Sequence, residues 1–438
     1  MTFILFIGAI GVLLYRVTTP EDRLRYLQIA LANWYHLKAA ATKPRPELDQ
    51  FDAALRARTS RLLLTPACVA VMVAIWAAML WTRGGDEATH VLSWGGSIGT
   101  RTTNGEWWRL VTSMFVHTGI VMLALNGAAI YQVGRLVERL TGRGTVASVF
   151  VLSGMLAAIT SIAVQPVMVT AGASGGLFGL YGLMITAVVM SRRPSSEVPE
   201  EFRVAIPPLA SRRIATVAVG MLLVNAIGGS LPFAAELAAL ATGLACGVVL
   251  MRGIAVSVPP AQRLAVTTAG GLLLAILTAW PLNGISDVRP EIARVVATED
   301  RTAAAYVAEL ERLKKGKTTA DGVAQVIDAK ISPELDEVDA RLKALKKVPP
   351  EHQAMLNDAQ EFLRLRAESW HLRAASLRAA ARVPAQRKAA SDGDDPAAGA
   401  KWRSRVEAQF RSTRAAIGKA EAVERSSLEV FAKLKAAV

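Results

Sequence analysis

The chain has 438 residues, is 52% hydrophobic and carries a formal charge of +14 with a pI near 10.1. Such a charge suggests nucleic acid, yet no zinc-ligand spacing, glycine-rich phosphate loop or aromatic RNA-binding signature accompanies it, and the expectation is no nucleic-acid partner, no metal and no cofactor. The two cysteines, Cys68 and Cys246, both lie inside apolar runs, which argues against a disulfide framework and favours small packing residues.

Apolar and charged residues are segregated along the chain. Residues 1–15 (MTFILFIGAIGVLLY) lack a basic leader and a small-residue cleavage site. They read as a short apolar anchor or, alternatively, as an interfacial helix. Residues 16–61 carry nine Lys/Arg against five Asp/Glu and form a basic segment. Within it, 20–38 places Leu24, Leu27, Leu31 and Trp34 on one helical face, as expected of a helix lying along a membrane surface.

Residues 62–285 then hold seven long apolar runs, at roughly 62–82, 118–134, 145–165, 171–190, 214–229, 232–251 and 264–282. A span needs ~20 apolar residues, so these predict an all-α, polytopic membrane bundle of six core spans plus a seventh. The connectors 135–143, 191–213 and 252–263 carry three, five and two arginines, whereas those near 166–170 and 229–233 carry none. By the positive-inside rule the arginine-bearing connectors face the cytoplasm. The loop 83–117 and the starts of the spans at 171 and 232 then face outward, and so does everything after the last span.

Residues 286–438 are rich in Ala, Glu, Lys and Arg and predict a helical bundle or coiled coil, with helices over 291–316, 333–347, 350–380 and 400–437. Ser332-Pro333 has the form of an N-cap followed by proline at the first helical position. Pro349-Pro350 divides two helices, and ASDGDDPAAGA at 390–400 reads as a flexible connector. Leu335, Val338, Leu342 and Leu345 form an apolar stripe, and the basic residues read as a solvated face. A partner of this outward-facing region is a further expectation.

Three polar residues stand out within the apolar runs. Ser174 lies between Gly172 and Gly175 in AGASGGLFGLYG, a few residues into a span entering from outside. Taken alone, Gly-x-Ser-Gly serves close helix packing as readily as catalysis. Glu236, in FAAELAALATG, lies a few residues into another span entering from the same side. A carboxyl group at that depth is expensive and marks function or a partner. Asn126, in FVHTGIVMLALNG, lies further into a third span, where its amide suits either an interhelical hydrogen bond or the stabilisation of an oxyanion.

Together these motifs resemble the rhomboid family of intramembrane serine proteases, over about residues 60 to 285. Trp108 and Arg109 in EWWRLVTSMFVH stand where the family has its outer-loop Trp-Arg pair, and GRLVERLTGR (134–143) matches its glycine-then-glutamate signature. Gly172-Ala173-Ser174-Gly175 matches the nucleophile motif, and Phe178 supplies the aromatic one helical turn later. The resemblance implies Ser174 as nucleophile, Asn126 at the oxyanion and a transmembrane substrate or client helix as partner within the lipid bilayer. It also implies a structural role for His117 at the loop-to-span junction, and, for a chain of this kind, a bacterial plasma membrane.

Two positions depart from the family pattern. Where the family reads Ala-His-x-x-Gly-x-x-x-Gly, this chain has Glu236, and Met122 stands in place of the histidine that precedes the asparagine by one turn. Serine is a poor nucleophile until a base takes its proton. A carboxyl group sheltered from water is stabilised as the neutral acid, which cannot accept one. No other histidine is placed near Ser174 by sequence. The expectation is therefore a proteolytically silent protein that binds client helices, with Glu236 hydrogen-bonded to Ser174. The alternative is an active serine endopeptidase with Glu236 as an unusual base.

Overall fold

The computed structural model describes residues 46–59, 61–82, 86–192, 206–228, 232–254, 256–391 and 396–437, together with Gln28 and Ala32. The anchor expected at 1–15 and most of the surface helix expected at 20–38 lie outside these residues. The described residues are helical apart from loops and one isolated antiparallel bridge, Ser97 to Thr170.

Among the described residues a short helix, α1 (Pro46–Arg58), precedes seven helices long and apolar enough to cross a bilayer. These are α2 (Leu64–Trp81), α3 (Ile120–Thr141), α4 (Arg143–Val164), α5 (Ser174–Ser191), α6 (Pro208–Gly228), α7 (Phe233–Leu250) and α8 (Ala261–Ala279). The fold is an all-α polytopic bundle. Burial ranks them: 78% of the apolar window of α5 and 67% of that of α4 are buried, against 17%, 17% and 11% for α2, α6 and α8. The first two form the centre, and the last three turn most of their apolar surface toward lipid.

Close packing at the centre depends on missing side chains. A Cβ on Gly243 of α7 would lie 1.9 Å from the carbonyl oxygen of Gly179 on α5, and one on Gly182 would lie 2.2 Å from that of Leu240. Further along, Gly247 faces Thr186 in the same way. The two backbones therefore touch, as small residues permit in membranes. This fixes the register of two helices that run in the same direction.

A buried carboxylate fixes a second junction. Glu138 of α3 is fully buried and accepts hydrogen bonds from Leu63 N (2.9 Å), Leu64 N (3.0 Å), Thr65 N (2.8 Å) and Thr65 Oγ1 (2.7 Å). The first turn of α2 has no side-chain cap from its own N-cap residue, Leu63. Glu138 takes that place, satisfying donors that a helix start leaves open.

The bundle has two chemically distinct ends. Trp81 and Trp280, 92% and 77% exposed, stand at the end of α2 and just past the end of α8 on one face, as tryptophans at a membrane–water boundary do. Arg192, Arg212, Arg213, Arg252 and Arg263 are exposed on the other. Ser174 begins its helix on the tryptophan face.

Beyond α8 lie α9 (Arg289–Lys314), α10 (Ala320–Val326), α11 (Ser332–Lys343), α12 (Pro350–Ser391) and α13 (Pro396–Ala437). They bury a separate core that includes Ile292, Ile327, Leu335, Phe362 and Trp370. The short α10 is absent from the sequence expectation. Ser332 is also not an N-cap: the chain passes from α10 through a π-helical turn, Ile327–Ile331, straight into α11. The connector expected over 390–400 is shorter than anticipated, since Pro396 already starts α13. Inside this core Arg366 is 3% exposed and pairs with both carboxylate oxygens of Glu299 (2.9 and 2.6 Å) and with Glu424 (2.9 Å), while Arg373 closes on the second oxygen of Glu424.

This core is stitched to the membrane bundle. Gly284 N donates to Thr103 O (3.2 Å), Ile285 N to Thr103 Oγ1 (3.2 Å) and Asn104 Nδ2 to Ile285 O (2.8 Å). Lys347 Nζ reaches back to Pro281 O (3.0 Å) and Asn283 O (2.5 Å).

Candidate functional site

Ser174 is the first residue of α5 and is 5% exposed. It follows Gly172, whose φ of +119° is a backbone conformation that side-chain-bearing residues rarely adopt. Gly172 N is held by Ser113 O at 2.8 Å, so the loop is anchored immediately before the helix starts. The N–H groups of Ser174, Gly175 and Gly176 fall in the first turn, where no i−4 carbonyl is available. The positive end of the helix dipole thus lies at the serine, an environment suited to a developing negative charge.

Gly175 sits where a Cβ would come within 2.7 Å of Ala157 Cβ on α4, which presses the start of α5 against its neighbour. The space beside Gly172 and Gly175 is only about 10 Å³, at the lower limit for a single water.

The glycine-set register of α5 and α7 carries Ser174 level with the first turn of α7, where Glu236 lies. Glu236 is 2% exposed. Its partner differs from the expected one. Asn225 Nδ2 of α6 donates to Glu236 Oε1 at 2.6 Å, and among the described residues no hydrogen bond joins Glu236 to Ser174. Sequence reasoning missed Asn225, although an amide inside an apolar run was a visible signal. The Asn225 carbonyl oxygen and the Tyr181 hydroxyl are both buried without hydrogen-bond partners among the described residues. Phe178 packs edge-on against Tyr181, ring centroids 5.9 Å apart, and is 4% exposed.

Asn126 is 2% exposed and lies 3.4 Å, through Nδ2, from His117 Nε2. His117 Nδ1 is 3.4 Å from Phe115 O. An amide nitrogen can only donate, so Nε2 accepts and the imidazole proton sits on Nδ1, facing the carbonyl. His117 is 2% exposed, and burial pushes its pKa down to about 4, so the ring is neutral. The Asn126 carbonyl oxygen has no partner among the described residues. Met122, one turn earlier, is half-buried.

Arg109 and Trp108 organise the loop above. Arg109 is 3% exposed and donates to Leu92 O (2.6 Å), Gly96 O (2.8 Å) and the Glu106 carboxylate. It also lies 4.5 Å from the Trp108 ring centroid. Although burial acts to raise the Glu106 pKa, its hydrogen bonds from Arg109 and Arg101 outweigh that and hold it below the usual carboxylate range. Trp108 itself is 51% exposed. His90 directs Nε2 to Met79 O at 3.1 Å, which occupies that nitrogen away from Ser174. His352 and His371 belong to the far helical core.

Among the described residues no group of three or more His, Cys, Asp or Glu could hold a metal ion. The larger space lies on the opposite flank of Glu236, a groove of about 480 Å³ bounded by α5, α6 and α7.

A serine opening a glycine-packed central helix, among seven described helices able to cross a bilayer, places the chain among integral multi-pass membrane proteins. This chain matches the Rhomboid domain over residues 104–253, 150 of its 438 residues. It is 34% identical over 116 residues to "Rhomboid protease GluP" of Bacillus subtilis (strain 168), covering 26% of this chain and 23% of that protein. It is 30% identical over 105 residues to "RHOMBOID-like protein 7" of Arabidopsis thaliana, covering 24% and 32%. "Inactive RHOMBOID-like protein 8" of the same plant is 29% identical over 87 residues, covering 20% and 25%. The aligned stretch thus spans about a third or less of each of these relatives.

Proposed function

We propose that this chain is a proteolytically silent rhomboid that binds transmembrane helices of client proteins, with Glu236 in the position of the family's histidine base. The observation that carries this reading is the Asn225–Glu236 hydrogen bond. It commits the carboxyl group to α6 and leaves the Ser174 hydroxyl with no hydrogen-bonded base among the described residues. Loss of a base typically costs several powers of ten in rate, and the helix terminus and Asn126 then supply only the residual stabilisation.

A second reading has Ser174 attack, Glu236 act as base, and Asn126 with the Ser174 N–H bind the oxyanion. It draws support from the shared depth of Ser174 and Glu236 and from the named proteases among the relatives. A fluorophosphonate probe decides between the two. Labelling of the purified protein that disappears in Ser174→Ala refutes the silent reading; no labelling, with labelling gained in Glu236→His, supports it. We further assign the tryptophan face to the outside and residues 286–438 to an extracytoplasmic helical domain at a bacterial inner membrane, on the strength of the arginine-bearing connectors. Residues 62–285 form the membrane domain in this assignment, and 1–15 and 16–61 the anchor and basic cytoplasmic segment.

A further inference from the structure

The groove between α5, α6 and α7 meets the site of Ser174 only at Phe178 and Glu236, and its shape and ends specify a ligand. It runs from Phe178 and Glu236, near the tryptophan face, to Val189 and Arg212 at the arginine face. Along α6 the stretch from Leu222 to Arg212 is ~15 Å at the helical rise. Between these ends the walls are apolar, including Met184, Val188 and Ala218. The buried Glu236 carboxyl, held by Asn225, lines the far end.

The apolar walls bound a groove of about 480 Å³. An extended hydrocarbon chain fits. Charge then sets the headgroup. Arg212 is exposed at the mouth, and among the described residues it has no acidic or hydrogen-bonding side-chain partner, with Arg213 beside it. We propose that the groove binds one acyl chain of an anionic phospholipid, with the phosphate of that lipid at Arg212. Such a lipid fills the gap that keeps α6 the loosely packed member of the three, with 17% of its apolar window buried.

The test is native mass spectrometry of the full chain released from detergent, after incubation with phosphatidylglycerol or with phosphatidylcholine of identical acyl chains. Wild type retains phosphatidylglycerol in preference to phosphatidylcholine. Arg212→Gln, on an exposed position, weakens retention about fivefold, the effect of one basic residue at an anionic surface. Ala218→Trp, which fills the groove, removes it. Ser174→Ala leaves retention unchanged, so the result is independent of whether the protein is a protease. Equal retention in wild type, Arg212→Gln and a folded Ala218→Trp shows only lipid spread over the bundle and overturns the proposal. So does indifference to headgroup, or a transmembrane peptide that crosslinks in the groove and displaces no lipid. Folding of Ala218→Trp is checked by its thermal transition, and Arg212→Gln carries the test if that variant does not fold.

Discussion

Replacing Glu138 by alanine removes the acceptor for four donors at the start of α2. The costs differ by donor. Leu63 N and Leu64 N are partly buried and can turn to water, whereas Thr65 N and Thr65 Oγ1 are buried and stay unpaired. Two orphaned buried donors at ~1–3 kcal/mol each give a loss of about 4 kcal/mol. Arg143, 3.7 Å from Glu138 and 48% exposed, adds little. Glu138→Gln keeps one acceptor oxygen and should lose about half as much. Thermal unfolding of the detergent-purified protein, followed with a thiol-reactive dye, reads this directly because Cys68 lies on α2 and Cys246 is buried in α7. At ~2–4 °C per kcal/mol for a bundle of this size, alanine should lower the midpoint by about 10 °C and glutamine by about 5 °C. A shift under 2 °C for alanine, or equal shifts for both variants, refutes the idea that a carboxylate cap holds α2 to α3.

Other outcomes follow from the same geometry. Gly243→Ala forces α5 and α7 apart, because its Cβ meets backbone at 1.9 Å, and should destabilise by about 1–3 kcal/mol, whereas Gly270→Ala, with nothing within 4 Å, should be neutral or slightly stabilising in the same melt. His117 is neutral in the fold with a pKa of about 4, so between pH 6.5 and 4 the unfolded chain binds more protons. Stability should therefore fall by up to about 3 kcal/mol as pH drops through that window, and a pH series of melts should show the slope flattened in His117→Gln. Burial acts to raise the pKa of Glu424, but hydrogen bonds and charge from Arg366 and Arg373 outweigh it and depress it. Its contribution is present above the ordinary carboxylate pKa and lost as pH falls through the lower folded value, so acid should melt the C-terminal helical core, seen by circular dichroism. At neutral pH, Arg366→Met leaves Glu299 buried and unpaired and should cost about 3–5 kcal/mol in the same measurement.

Spans were legible because a helix in lipid must be apolar along its whole length, and the runs containing Cys68, Ser174 and Glu236 announce themselves by hydropathy alone. The stripe Leu335, Val338, Leu342 and Leu345 was legible for the related reason that burial recurs with helical period; the first three are buried and Leu345, at the end, is half-buried. What escaped were pairings between distant segments. Glu138 was visible as part of a motif, but its acceptor role depends on backbone N–H groups of Leu63, Leu64 and Thr65, which no side-chain pattern advertises. Glu236 could be placed level with Ser174, yet its rotamer is settled by Asn225 on a third helix. The α10 helix escaped because seven residues hold too few turns to establish a period.

The bonds from Thr103 and Asn104 to Gly284 and Ile285 give the long helices beyond the membrane a mechanical address. They meet the loop braced by Arg109 and Trp108, and that same loop pairs through Ser97 with Thr170, four residues ahead of Ser174. The C-terminal helices and the serine thus share one loop as their common support.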